Sequence, residues 1–207
     1  AAPRVTNTVA GYTMTPFAVV GERVLRRRST YSHTAFDIVP VERISDPPVR
    51  MPYVLEATPY APGHACLRGA SEFLVEGSRL YVVQTEDLIG APNDTMRHVA
   101  VAFEAADADV PQRLGALPVW DTTDGAGGAQ SGVTIEAGAA TVLAGNVLAF
   151  QVGCEASCSN GPGVWARLVD FTDASRPSVT EIELPRGGGT GLLSDGSIVA
   201  TSHHEPA

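Results

Sequence analysis

The chain has 207 residues, 44% of them hydrophobic, and a formal charge of −9; that acidity works against nucleic-acid binding, which is driven by neutralising phosphates. All 14 basic residues are arginine, so chemistry that needs a lysine Schiff base or a phosphate-loop lysine is excluded. No run of about eighteen apolar residues is present, which excludes a transmembrane helix.

In chain order, Ala1-Ala2-Pro3 is what processing after small residues would leave. Val5 to Val9 then reads as a short strand able to complete a sheet formed elsewhere. The first firm element is a hairpin over Phe17 to Leu25, reversing at Val20-Gly21; glycine reaches the positive φ of a tight turn without a Cβ clash. Arg26-Arg27-Arg28 follows as an exposed strand end that keeps an edge soluble. A second reversal joins Phe36 to Val41 with Tyr53-Val54-Leu55 through Asp46-Pro47. There, oxygen-bearing side chains accept backbone hydrogen bonds and Pro fixes φ.

The same two-hairpin order returns. Phe73 to Val83 reverses at Glu76-Gly77, and Val99 to Pro118 reverses around Pro111. Asp107-Ala108-Asp109 and Asp121 to Gly125 lack the alternating ligands and closing Glu of a calcium loop and read as Asx turns. Asp121 to Gly132 has no apolar periodicity and reads as a linker. Thr141 to Phe150 reverses at Gly145-Asn146, and Ala166 to Leu184 reverses through Asp173 and Pro177. Arg186 to Gly191 looks like a phosphate cradle, but no helix pattern follows it, so it is a linker. Leu192 to Ala200, turning at Asp195-Gly196, starts a further copy.

Two hairpins make one four-stranded antiparallel sheet, the size of a propeller blade. The expected fold is therefore all-β: a single β-propeller segment over 1–207 with blades at 17–60, 69–120 and 138–186 and a partial one at 190–205, about three and a half blades. The run Val169-Asp170-Phe171-Thr172-Asp173-Ala174-Ser175-Arg176-Pro177, then Leu184-Pro185 and Leu193-Ser194-Asp195-Gly196, resembles secreted bacterial β-propeller proteins whose blades carry an Asp-apolar-Ser/Thr-Asp-Pro-x-x-Pro turn. The likeness is good over 138–205, fair over 69–119 and poor before residue 60, where the Asp pair is replaced by Val41 and Ile44. It implies the fold and an exported location rather than an activity.

Three cysteines bear on the compartment. Cys154 and Cys158 bracket a loop where a local disulfide would stiffen the connection; the rival reading, half of a zinc site, lacks nearby partners for the four ligands zinc needs. Cys66 is left over and reads as a small buried hydrophobe, or as a thiol that pairs with a segment beyond this chain. His203 and His204 follow the last strand and would project to opposite faces, so one could face a channel. With Glu205 and a ligand-stacking Trp165 they are the channel or ligand candidates. Adjacent histidines do not converge on one ion, and His33, His64 and His98 would have to come from other blades. Trp120 and Trp165 otherwise read as core or rim anchors.

A closed propeller needs about four blades or more. The open edges therefore belong against another protein chain, the missing remainder of the same polypeptide, or the chain's own N-terminal strand. The function expected is a non-catalytic, exported binding or assembly scaffold within a larger protein or complex. It takes no cofactor, no nucleic acid and no transmembrane segment, and has no assigned catalytic or metal residue. The alternative is a propeller enzyme with a metal or general base at the channel mouth, drawn from His203, His204, Glu205, Asp170 and Asp173. No Gly-x-Ser-x-Gly elbow accompanies them.

Overall fold

The computed structural model describes residues 14–29, 34–47, 53–60, 63–90, 95–105, 110–121, 133–135, 141–143, 145–154, 163–184, 190–192 and 198–200. All of its sheets are antiparallel, and one 3-10 turn spans Val41–Arg43. The all-β expectation holds.

The first sheet takes β1 (Met14–Val20), β2 (Arg23–Ser29), β3 (Thr34–Pro40) and β4 (Tyr53–Val54) in chain order. The second takes β5 (His64–Glu76), β6 (Arg79–Ile89), β7 (Thr95–Glu104) and β8 (Gln112–Asp121), also in order. The third runs through β10 (Thr141–Leu143), β11 (Val147–Cys154), β12 (Gly163–Asp170) and β13 (Ser178–Leu184). In that sheet β9 (Val133–Ile135) pairs with the far end of β11, from Val152 to Cys154. β14 (Thr190–Leu192) and β15 (Ile198–Ala200) form a two-stranded sheet.

The turn chemistry explains the hairpins. Val20 pairs with Arg23 across Gly21-Glu22, and Glu76 pairs with Arg79 across Gly77-Ser78. Gly21 and Gly77 hold φ of 57° and 58°, the left-handed region where a Cβ is strained. In the third sheet Gly145 and Asn146 share that role at 86° and 66°, and asparagine is among the few side chains that tolerate it.

One hydrogen bond recurs in the three larger sheets. The residue that follows the third strand of the meander donates its N–H to the carbonyl of the residue after the turn glycine: Val41 to Glu22 at 2.9 Å, Ala105 to Ser78 at 3.0 Å and Phe171 to Asn146 at 2.9 Å. The two reversals of each sheet are thereby tied together at one end, which satisfies backbone groups that a strand end would otherwise leave open.

Alternation along β6 sets the packing. Leu80 and Val82 join Val20, Leu25, Phe36, Ile38 and Leu55 of the first sheet and its following segment in one core. Tyr81 and Val83 join Leu148, Phe150, Val169 and Phe171 of the third sheet in another. The central strands of the second sheet are therefore buried on both faces over Leu80–Val83 and Val99–Phe103. Each fully buried Leu or Phe in these cores contributes about 1.5–3 kcal/mol. Between the first two sheets Phe36, Tyr53 and Phe103 pack with ring centroids 5.3 to 6.2 Å apart, a spacing at which tilted and edge-on rings attract beyond their buried area. Neighbouring sheets also approach through their first strands, β1 beside β5 and β5 beside β10, while β12 approaches β8.

Candidate functional site

Polar chemistry lies both within the first sheet and where one sheet meets the next. Arg26, expected as part of an exposed strand end, is instead buried on the inner strand β2, 3.3 Å from the buried Asp37 of β3 and donating to the Asp46 carbonyl at 2.8 Å. Between the first and second sheets, the segment Leu55–Tyr60 lies over the ends of β6 and β7. Glu86 on β6 and Arg97 on β7 stand opposite each other in register, and both are buried. Arg97 Nε donates to Glu86 Oε2 at 2.8 Å, with Nη2 2.7 Å from the same oxygen. Glu86 Oε1 accepts the Thr58 N–H at 2.7 Å and a hydrogen bond from Gln84 Nε2. Thr58 is held on its other sides as well: its carbonyl accepts from Arg97 Nη2 at 2.7 Å, and its hydroxyl accepts from Arg113 Nη2 at 2.9 Å. Gln84 Nε2 reaches the Glu56 carbonyl at 3.0 Å, and the Arg97 guanidinium lies 5.5 Å from the centre of the Tyr60 ring. A buried carboxylate survives only with such partners. The arrangement clamps the inter-sheet connection.

Between the second and third sheets the clamp is built from turns. Glu76, at the end of β5, accepts the N–H groups of Gly145 at 3.0 Å and Asn146 at 2.8 Å. Tyr81 donates its hydroxyl to Asn146 Oδ1 at 2.8 Å, and Arg79 Nη1 donates to the Phe171 carbonyl at 2.6 Å. Burial raises the Tyr81 pKa, and the Arg79 guanidinium opposes that rise. Phe171 is fully buried and packs its ring 5.6 Å from that of Tyr81. Beside it, Ala174 presses on β8 so closely that a Cβ on Gly115 would fall 1.8 Å from the Ala174 carbonyl oxygen. The run Asp170 to Pro177 is thus a docking turn, with Phe171 and Ala174 as its contacts.

Asp170 and Asp173, candidates for an enzymatic site, serve this turn. Asp170 Oδ1 accepts the Thr172 N–H at 2.7 Å, and Asp173 Oδ1 accepts the Ser175 N–H at 3.1 Å. The Thr172 hydrogen bonds hold the Asp170 carboxyl below the usual range. These are the backbone-capping roles that the turn composition predicts.

The other candidates are scattered. His203, His204 and Glu205 lie outside the described residues, as do His33 and Cys158. Cys154 ends β11, its backbone opposite Gly163 and Val133; a bond to Cys158 falls outside the description. Trp165 sits in β12 opposite Val152 and Glu183, and Trp120 in β8 opposite His98. His98 Nδ1 is 3.3 Å from the Thr85 hydroxyl, and burial lowers its pKa. His64 is exposed on β5. Cys66 corrects the sequence reading: it is a free, exposed thiol rather than a buried hydrophobe, because it stands at the outer end of the long edge strand β5, opposite Asp87. Among the described residues no group of three or more His, Cys, Asp and Glu is placed to hold a metal ion.

Sequence reasoning missed Thr58, Glu76, Glu86, Arg97 and Gly115. The polar stretch Gln84-Thr85-Glu86-Asp87, with its two acids set between apolar residues from Leu80 to Leu88, was the available signal for a buried pair. Its partner is set by cross-strand register, which the sequence does not display. No family model, no curated protein and no solved structure matches the chain.

Proposed function

We propose that the chain is a segment of a β-propeller, its three larger sheets acting as consecutive blades, and that it works as an exported, non-catalytic binding or assembly scaffold. The observation that carries this reading is the second sheet, whose central strands are buried on both faces between the sheets that precede and follow it in the chain. Blades of a propeller pack in that way, each against its sequence neighbours. The hydrogen bond repeated at Val41, Ala105 and Phe171 supports a repeated unit, and the approach of β1, β5 and β10 supports a common inner edge. The buried charges Glu86 and Arg97 hold the segment that connects the first sheet to the second, and Glu76 and Arg79 bridge the second sheet to the third, which is the work of a scaffold. Export rests on the resemblance carried by Val169 to Pro177.

In this reading another chain, or further blades of the same polypeptide, completes the ring. Light scattering of the purified chain, alone and with its neighbouring polypeptide, tests this. A defined assembly is the expected result. A stable monomer whose ring is closed by its own residues contradicts it.

A further inference from the structure

We propose that β13 is a docking edge that accepts an extended, basic β-strand from a partner protein. This rests on the scaffold reading and names the partner chemistry for it.

The last strands of the three larger sheets differ in how they present their outer edges. β4 has two residues, too few to template a partner. β8 has ten, but its register with β7 breaks between His98 and Val99 and between Ala102 and Phe103. Pro118 removes one backbone donor from β8, and Ala174 of the third sheet is seated on its Gly115. Each device is a recognised way to blunt an edge.

β13 has none of them. Its seven residues, Ser178–Leu184, contain neither Gly nor Pro and pair one for one with β12, from Asp170 opposite Ser178 to Val164 opposite Leu184. The side chains from Ser178 to Ile182 are all exposed. Successive side chains alternate faces, so an unbroken exposed run leaves both sides of the strand uncovered. Val179 is 50% and Ile182 38% exposed, on opposite faces. Among the described residues no strand pairs with the outer side of β13, and a regular edge with apolar side chains on both faces is a template for strand addition, where main-chain bonds give affinity and alternate side chains give selectivity.

Charge selects the occupant. The strand carries Glu181 and Glu183, and the chain as a whole has a charge of −9. Arg167 of β12 meets Glu181 at 3.0 Å from the inner side, yet the Glu181 side chain remains 51% exposed. A partner strand with Arg or Lys opposite these acids and apolar residues beside Val179 and Ile182 is complementary. A second copy is disfavoured: antiparallel self-pairing about the central residue sets Glu181 against Glu181, and like charges directly opposite are destabilising.

The test uses the full chain and a blocked heptapeptide with Arg placed to fall opposite Glu181 and Glu183 and Val opposite Val179 and Ile182, read by amide hydrogen exchange and a binding titration. The expected result is slowed exchange over Ser178–Leu184. Methylating the alternate peptide nitrogens on one edge weakens binding by about tenfold or more, whereas methylating those on the other edge does not. Glu181→Arg turns the preference toward a Glu/Val peptide. Unchanged exchange in β13, slowing only elsewhere, equal binding of both methylated peptides, or self-association through β13 overturns the proposal. Exchange in β6 is read in the same experiment. Protected β6 with an unresponsive β13 removes the docking edge alone, whereas rapid exchange in β6 removes the layered scaffold as well.

Discussion

Glu86 and Arg97 show how burial decides what a charge pair is worth. Their side chains are 0% and 4% exposed, against 38% and 65% for the surface pair Asp46 and Arg43. Removing one member of a buried pair leaves the other desolvated and uncompensated, at a cost of about 3–5 kcal/mol. Glu86→Gln is therefore expected to lower the unfolding free energy by that amount in denaturant titrations, whereas Arg43→Ala changes it by less than about 1 kcal/mol. His98 supplies the pH dependence. Burial depresses its pKa below the free value of 6.5, so the folded state favours the neutral ring. The associated stability is fully present above 6.5 and is lost as pH falls toward the depressed folded value, because the unfolded chain then binds the proton more readily. His98→Gln is expected to flatten the fall in unfolding free energy over that window; an unchanged slope contradicts the assignment. At this scale the sequence disclosed little. Asp170 and Asp173 were legible because their partners are two residues away, whereas Glu76 finds its partners 69 and 70 residues on.

Turns and strands were far more legible, because their determinants are local. The reversals at Gly21, Gly77 and Gly145 follow from backbone conformations that glycine reaches without strain. What stayed hidden is how those elements meet. β5 spans His64–Glu76 with register breaks between Leu67 and Gly69 and between Ala70 and Glu72, and no periodicity marks such bulges. The division of labour between β9 and β10, each pairing with part of β11, is equally a tertiary outcome. Gly115 looked unremarkable in the sequence, yet the docking turn of the third sheet rests on it. Gly115→Ala forces the Ala174 carbonyl away and is expected to cost about 1–3 kcal/mol, the range for overpacking a close contact. Gly69→Ala is the control, since a Cβ there meets nothing within 4 Å. Equal thermal shifts for the two variants would show that the turn does not bear on β8 as described.

At the scale of the molecule, layering organises the fold. The second sheet uses one face for the core with Phe36 and Ile38 and the other for the core with Phe150 and Phe171. The clamps at Thr58 and Glu76 fix its two neighbours in place. Hydrophobic alternation made all-β architecture legible, but a layered stack and a radial one place the same residues inside. The difference lies in how the sheets rotate relative to each other, which is a property of their contacts and not of any strand. Residual dipolar couplings of the backbone amides in β2, β6 and β11 measure those rotations directly. The blade reading predicts rotations of the same hand and similar size about one shared axis, from the first sheet to the second and from the second to the third; rotations about unrelated axes, or sheets lying parallel, would contradict it.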